Sequence, residues 1–249
     1  MWAYASSELR ERTVAMPAPL VDIPSEFVTL KYPLPHFARA LAGQAPVRIV
    51  AMGSSSTAGR GDVVPYPHRL EMYLRARYEG EQSRNLRIDV LNRGRGGQEA
   101  IEELRRFNSD IFAEQPSLVI WQVGTNAVFH AYDLDEVAAS IAEGLQQLRV
   151  EPMDVVLIDP QYTPAMLFDD KAEASERMVS LISAAADHAK VNLFRRWALM
   201  RHWHVHNNVG LNQFFDPTDP DKLHQSDWST LLVAKALSEA ITKARPVGA

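Results

Sequence analysis

The stretch Val47–Asp62, VRIVAMGSSSTAGRGD, decides the reading of this chain. An apolar, strand-favouring run, VRIVAM, ends at Gly53, and three serines and a threonine follow before two more glycines. A glycine-rich turn between a first strand and a helix has several meanings, which spacing separates. A phosphate-cradling loop needs four residues between its glycines and a lysine after the second; Gly53 to Gly59 is one residue too long and Arg60 stands where the lysine belongs. The dinucleotide fingerprint G-x-G-x-x-G is supplied neither here nor by Gly94, Gly96 and Gly97, because Glu99 occupies the place of the third glycine. The G-x-S-x-G elbow fails at Thr57. What remains is G-S-S-S-T at the mouth of a strand, either a helix cap made by hydroxyl side chains or a nucleophile turn.

Outward from this turn, strand-like runs alternate with helical periodicity. VRIVAM precedes a helix over Tyr66–Tyr78, LRIDVLN one over Gln98–Phe112, and SLVIWQV one over Leu134–Leu148. DVVLID leads to a helix over Lys171–Lys190, then a short strand over Val191–Phe194, a long irregular stretch, and a last helix over Ser226–Lys243. This β-α alternation predicts right-handed crossovers and an α/β fold, a three-layer α/β/α sandwich on a five-stranded parallel sheet. Ligand sites in such folds lie at the carboxyl ends of the strands, here GSSST, NRGRGG, GTN and the irregular stretch before the last helix. Residues 1–46, rich in Pro and Ala, read as an N-terminal arm packed on a domain of 47–249, with a short helix near His36–Ala42. The arm could serve as a lid or an oligomer contact.

Composition narrows the classes. The 249 residues are 46% hydrophobic and 23% charged, enough for one full-sized core. A formal net charge of -5 and the lack of any Lys/Arg block argue against nucleic acid as a partner. No apolar run reaches the length of a transmembrane segment. With no cysteine there is neither disulfide nor thiolate chemistry, and redox compartment is not encoded. Localisation stays open, with a periplasmic or secreted protein after loss of an export signal slightly favoured over a cytoplasmic one.

The strand-end motifs, taken together, carry a resemblance. GSSST resembles the first block of the SGNH (GDSL-like) hydrolases, G-[DS]-S-x-T, whose third residue is the nucleophile; this implies Ser55. LNRGRGG resembles the second block, with Asn92 and, five residues on, Gly97. VGTNA resembles the third, G-x-N-D, with Gly124 and Asn126 but Ala127 in place of the acidic residue. DKLH resembles the last, D-x-x-H, with Asp221 and His224. Each motif alone is a common turn or cap; the four occur in order, from about Val47 to Leu237.

The resemblance implies a flavodoxin-like SGNH fold and a catalytic triad of Ser55, His224 as base and Asp221 as its orienting carboxylate. It implies an oxyanion hole from the backbone N–H groups of Ser55 and Gly97 and the amide of Asn126. The activity implied is hydrolysis of a small-molecule ester through an acyl-enzyme, with a small acyl group such as acetyl leaving a carbohydrate or lipid-like alcohol. Acyl transfer, thioester hydrolysis and lysophospholipid hydrolysis on the same fold are alternatives, and a non-catalytic binding protein would not keep the triad. No cofactor and no metal is required, and a homo-oligomer is compatible with the sequence.

Other residues have competing readings. RHWHVHNN would place His202, His204 and His206 on one face of a strand, where they could recruit zinc, but no carboxylate pattern completes a site. They read as a polar loop flanking the pocket. DPTDPD lacks calcium-loop spacing. Trp121 reads as core. Trp203, Phe214 and Phe215, in the irregular stretch, read as an apolar or sugar-facing wall, and Phe129, just after Asn126, as a further substrate contact or core residue.

Overall fold

The computed structural model describes residues 20–43, 45–78, 86–168 and 170–244. Its centre is a parallel sheet in the order β2-β1-β3-β4-β5, formed by β1 (Val47–Gly53), β2 (Ile88–Gly94), β3 (Leu118–Gln122), β4 (Asp154–Ile158) and β5 (Asn192–Phe194). Parallel strands are buried on both faces, and alternate residues divide accordingly. Ile49, Ala51, Leu118, Ile120, Val156 and Ile158 belong to one apolar cluster, while Val50, Met52, Val119, Trp121, Val155 and Leu157 belong to the other.

The first face is covered by α1 (Pro35–Ala42), α3 (Tyr66–Tyr78) and α10 (Asp227–Lys243), through residues such as Phe37, Leu70 and Leu237. The second is covered by α7 (Leu134–Arg149) and α8 (Lys171–Ala189), through Ile141, Leu145, Met178 and Ile182. The predicted three-layer sandwich is therefore what the chain adopts. The order 2-1-3-4-5 reverses direction between β1 and β3, and a crevice opens there at the strands' carboxyl ends. The residues that follow β1 and β3 are the serine turn and GTN.

From Leu20 onward the N-terminal arm is part of this core. Phe27, Leu34, Phe37 and Leu41 are buried in the first cluster, and Phe37 N donates to Asp154 Oδ2 at 2.8 Å. The first nineteen residues of the predicted arm lie outside the described residues.

Two local expectations are corrected. The single helix predicted over Gln98–Phe112 is broken into α4 (Ala100–Leu104) and α5 (Phe107–Asp110). At the break Arg106 leaves helical geometry, with φ -117° and ψ 11°, and turns its side chain inward to bond backbone carbonyls at the strand ends.

The segment read as an irregular loop contains α9 (Arg196–Val205), which buries Trp197, Leu199, Met200 and Trp203. That spacing is helical, but the alternating histidines on the remaining positions mask it. Two shorter helices, α2 (Ser55–Ala58) and α6 (Thr125–Phe129), follow β1 and β3.

The sheet's second face leaves no room at one helix position. A methyl on Gly144 in α7 would lie 2.4 Å from Trp121 Cη2 and 2.8 Å from Leu104 Cδ2. Gly144→Ala would gain about 1 kcal/mol of helix propensity and lose about 1–3 kcal/mol to overpacking. We expect a net loss of stability, read as a lower midpoint in urea unfolding; a higher midpoint would refute this packing.

Candidate active site

The serine turn is built by close backbone approach. At the end of β2, Gly94 abuts α2 so tightly that a Cβ there would lie 2.2 Å from Ala58 N. The start of α2 is thereby fixed against the sheet. Ser54, its N-cap, uses its hydroxyl not as a cap but to donate to Gln122 Oε1 at 3.0 Å. Ser56 Oγ donates to Gln161 Oε1 at 3.1 Å and Thr57 Oγ1 to Gln122 Oε1 at 3.5 Å. Ser55 alone of the four turns toward His224, with Oγ 3.0 Å from Nε2. The helix-cap reading of the hydroxyls is thus replaced by a division of labour.

His224 is oriented from its other side, and here the predicted carboxylate is corrected. Asp219, not Asp221, lies against the ring, with Oδ2 2.9 Å from Nδ1. The same oxygen accepts the backbone N–H groups of Leu223 at 2.9 Å and His224 at 2.7 Å, so the carboxylate caps the turn that presents the imidazole. Asp221 is exposed, on the outside of that turn, where Lys222 takes a φ of +54°. With Nδ1–H donating to Asp219, Nε2 is the acceptor for the Ser55 hydroxyl.

Asp219 Oδ1 is held by Arg60, whose Nη1 also lies 2.9 Å from His224 Nδ1. Burial disfavours ionisation of Asp219. The bonds from His224, Arg60 and Leu223 outweigh burial and hold its carboxyl well below the usual carboxylate range. In the sequence Arg60 carries no signal beyond standing where a phosphate loop would have its lysine.

The residues expected to supply oxyanion donors follow β1, β2 and β3. Gly97 has a φ of +77°, the region that glycine occupies without strain, with open space beyond its Cα. Its neighbour Gly96 approaches the nucleophile, since a Cβ there would lie 3.8 Å from Ser55 Cβ. Asn126, 3% exposed at the start of α6, donates through Nδ2 to Gln98 O at 2.8 Å, which fixes its amide and leaves a second N–H. Ser55 N belongs to the first turn of α2, where backbone N–H groups have no acceptor within the helix.

Glu99, which the sequence offered only as a missing glycine, joins the loops that carry Gly97 and Asn126. Its carboxylate accepts from Ala100 N, Gly124 N and Ala127 N at 2.9–3.0 Å. Burial raises its pKa, against the three N–H groups.

The cleft beside Ser55 is narrow, with about 20 Å³ open to a water molecule's centre, and is walled by Ser56, Gly59, Val63, Pro65, Gln225 and Thr230. None of the predicted aromatic contacts lines it. Trp203 and Phe214 are fully buried in the first cluster, Trp203 donating from Nε1 to Asp22 O; Phe129 packs against the second cluster beneath Lys171. The reason is α9, which turns Trp203 inward.

The three histidines are not brought together either. His202 pairs with Asp22 at 3.1 Å and stacks near His206, while His204 Nδ1 donates to Val209 O at 2.7 Å on another side of the helix. Among the described residues no group of three or more His, Cys, Asp or Glu could hold a metal ion, and no helix is long and apolar enough to cross a membrane.

A doubly wound parallel sheet with a serine, histidine and aspartate in contact at its topological switch point defines an α/β protein of the lipase- and esterase-like class. The chain belongs to the Non-GDSL lipase-like family, whose model matches residues 21–245. That description suits a turn in which Gly53 is followed by three serines rather than by aspartate, serine and leucine.

Two solved structures show the same fold. One is an acetylxylan esterase from Geobacillus stearothermophilus (TM-score 0.65, 18% identity, 82% of this chain and 100% of that one). The other is an α/β hydrolase from the metagenome of Lake Arreo, Spain (TM-score 0.67, 18% identity, 83% of this chain and 100% of that one). No curated protein matches the sequence.

The two aspartates separate by stability. A carboxyl whose pKa is depressed on folding contributes stability above its unfolded pKa and loses it as pH falls through the folded value. Asp219→Asn should therefore lower the melting temperature at pH 7 by roughly 3–12 °C, from the loss of hydrogen bonds to a charged group. The gap to the unsubstituted chain should narrow as pH is lowered below about 4. Asp221→Asn should overlay the unsubstituted chain throughout; a pH-dependent loss in Asp221→Asn instead would overturn the assignment.

Proposed function

We propose that the chain is a serine esterase of the SGNH kind, with Ser55, His224 and Asp219 as its triad. It would release a short acyl group, such as acetyl, from a carbohydrate or lipid-like alcohol. The observation that carries this reading is the continuous contact from Asp219 through His224 to Ser55 Oγ. The narrow cleft favours a small acyl group, and the acetylxylan esterase of like fold is consistent with acetyl on a sugar.

In the first step Ser55 Oγ bonds to the ester carbonyl carbon while its proton passes to His224 Nε2, and the carbonyl oxygen becomes an oxyanion. The N–H groups of Ser55 and Gly97 and the second amide N–H of Asn126 receive that charge. Collapse breaks the bond to the alcohol oxygen, which takes the proton from Nε2 and leaves. Water then gives a proton to the same nitrogen and attacks the acyl-enzyme, and Ser55 is restored as the free acid departs. Asp219 holds the imidazole and stabilises its charged form throughout. Arg60 holds Asp219 from its far oxygen and keeps the carboxylate ionised. No step calls for a cofactor.

The test is hydrolysis of p-nitrophenyl esters from two to twelve acyl carbons by the unsubstituted chain and single variants. Activity should be greatest on the shortest esters. Ser55→Ala should lose about 10⁴-fold or more in kcat. Ser54→Ala and Ser56→Ala should remain active. Asn126→Ala should lose about 10²- to 10³-fold, the usual effect of removing one oxyanion donor. Activity retained in Ser55→Ala would sink the acyl-enzyme reading, and a preference for long chains would sink the short-acyl one.

A further inference from the structure

We infer that Gln161, which no sequence motif singles out, is the positioning residue that sets the nucleophile, the oxyanion amide and the base in register. This rests on the esterase reading above. Gln161 follows the end of β4 and is fully buried. Its Oε1 accepts from Ser56 Oγ at 3.1 Å and from Thr125 Oγ1 at 3.0 Å, and its Nε2 donates to Leu223 O at 3.2 Å. Each partner is the chain neighbour of a functional residue: Ser56 follows Ser55, Thr125 precedes Asn126, and Leu223 precedes His224.

One planar amide thus joins three segments that are far apart in sequence, and it does so through atoms one residue removed from the chemistry. The amide uses its acceptor and its donor at once, and a neighbouring amide reinforces it. Gln122 Nε2 donates to Thr125 Oγ1 at 3.4 Å, so the hydroxyl relays one glutamine to the other. Buried polar groups in such chains strengthen one another and rigidify when fully satisfied.

A glutamine serving packing alone would be the costlier choice here, because a buried amide must find partners that an apolar side chain of its size does not need. What the amide adds is direction. Reaction between Ser55 and His224 requires their separation to be held closely, and a misplacement of about 1 Å can cost on the order of 10²-fold in rate. Gln161 touches neither side chain nor substrate, so its loss should act on turnover and not on binding.

The experiment compares Gln161→Met, Thr125→Val and the double variant by steady-state kinetics on p-nitrophenyl acetate. A fluorophosphonate that labels Ser55 and a thermal melt to establish folding run beside it. Gln161→Met should lower kcat by about 10²-fold with KM within about threefold, and the labelling rate should fall in parallel. Thr125→Val, which removes one arm of the hub, should lower kcat by a smaller factor. The double variant should be slower than the unsubstituted chain by clearly less than the product of the two single losses, since the hydroxyl's shorter bond, at 3.0 Å, is the one to the Gln161 amide.

If Gln161→Met does not fold, Gln161→Asn takes its place; it keeps both amide functions and withdraws them by one methylene. A folded Gln161 variant with kcat within threefold of the unsubstituted chain, or a double variant whose losses simply multiply, overturns the inference. An unsubstituted chain that neither hydrolyses the ester nor takes the label strikes the esterase reading itself and removes this inference with it. Active variants beside an active parent strike Gln161 alone.

Discussion

Burial of both faces of the parallel sheet is the constraint from which the rest of this structure follows. Alternate residues of β1, β3 and β4 enter two separate apolar clusters, so the strands have no wet face on which to present a polar group. Chemistry is confined to the strand ends, and the reversal of strand order between β1 and β3 opens the only kind of crevice such a sheet provides. The polar groups gathered there sit close to the core and must satisfy one another. That requirement accounts for the number of buried amides, carboxylates and guanidinium groups within a few residues of Ser55.

These groups form a frame with separate duties. Arg106 reaches Arg93 O, Gly53 O and Gln98 Oε1, tying the ends of β1 and β2 to the loop that carries Gly97. Asp110 pairs with Arg106 and balances its charge. Gln122 receives the hydroxyls of Ser54 and Thr57 and Gln161 that of Ser56, so of the four hydroxyls only that of Ser55 is bonded to His224. On the far wall, Asp219 builds the His224 turn from inside. A carboxylate that accepts two backbone N–H groups and an imidazole fixes both where the ring sits and which nitrogen carries the proton.

What was legible in the sequence was whatever periodicity or short-range spacing encodes. The strands are apolar runs of the right length, α7 and α8 carry amphipathic repeats, and the serine turn, Gly97, GTN and His224 lie where strand ends predict. Two kinds of information were not local. In α9, Trp197, Met200 and Trp203 follow a helical period, but the interspersed His202, His204 and His206 superimpose an apparent period of two, which hides the helix that turns Trp203 into the core. The choice between Asp219 and Asp221 depends on how Pro217–Leu223 folds back on itself, with Asp219 N bonded to Asp216 O and Lys222 N to Asp219 O. A three-residue spacing selects Asp221, whereas the turn brings in the carboxylate five residues before the histidine.

Ala127 stands where the pattern that GTNA resembles carries an acid, and a carboxylate reaches this loop all the same. In the pattern G-x-N-D the last position would bring a carboxylate to the start of α6; here that position is a buried methyl in the second apolar cluster. The carboxylate beneath this loop arrives instead from Glu99, two residues after Gly97. It accepts the N–H of Ala127 itself and that of Gly124, while Glu102 closes a capping box onto Glu99 N. Gln98, between Gly97 and Glu99, offers the carbonyl that orients Asn126. Two of the donors proposed for the oxyanion are thus carried by segments bound directly to each other. An acid supplied from the second strand's loop couples those segments more directly than one supplied from within the third, because it makes the positions of Gly97 and Asn126 depend on the same side chain.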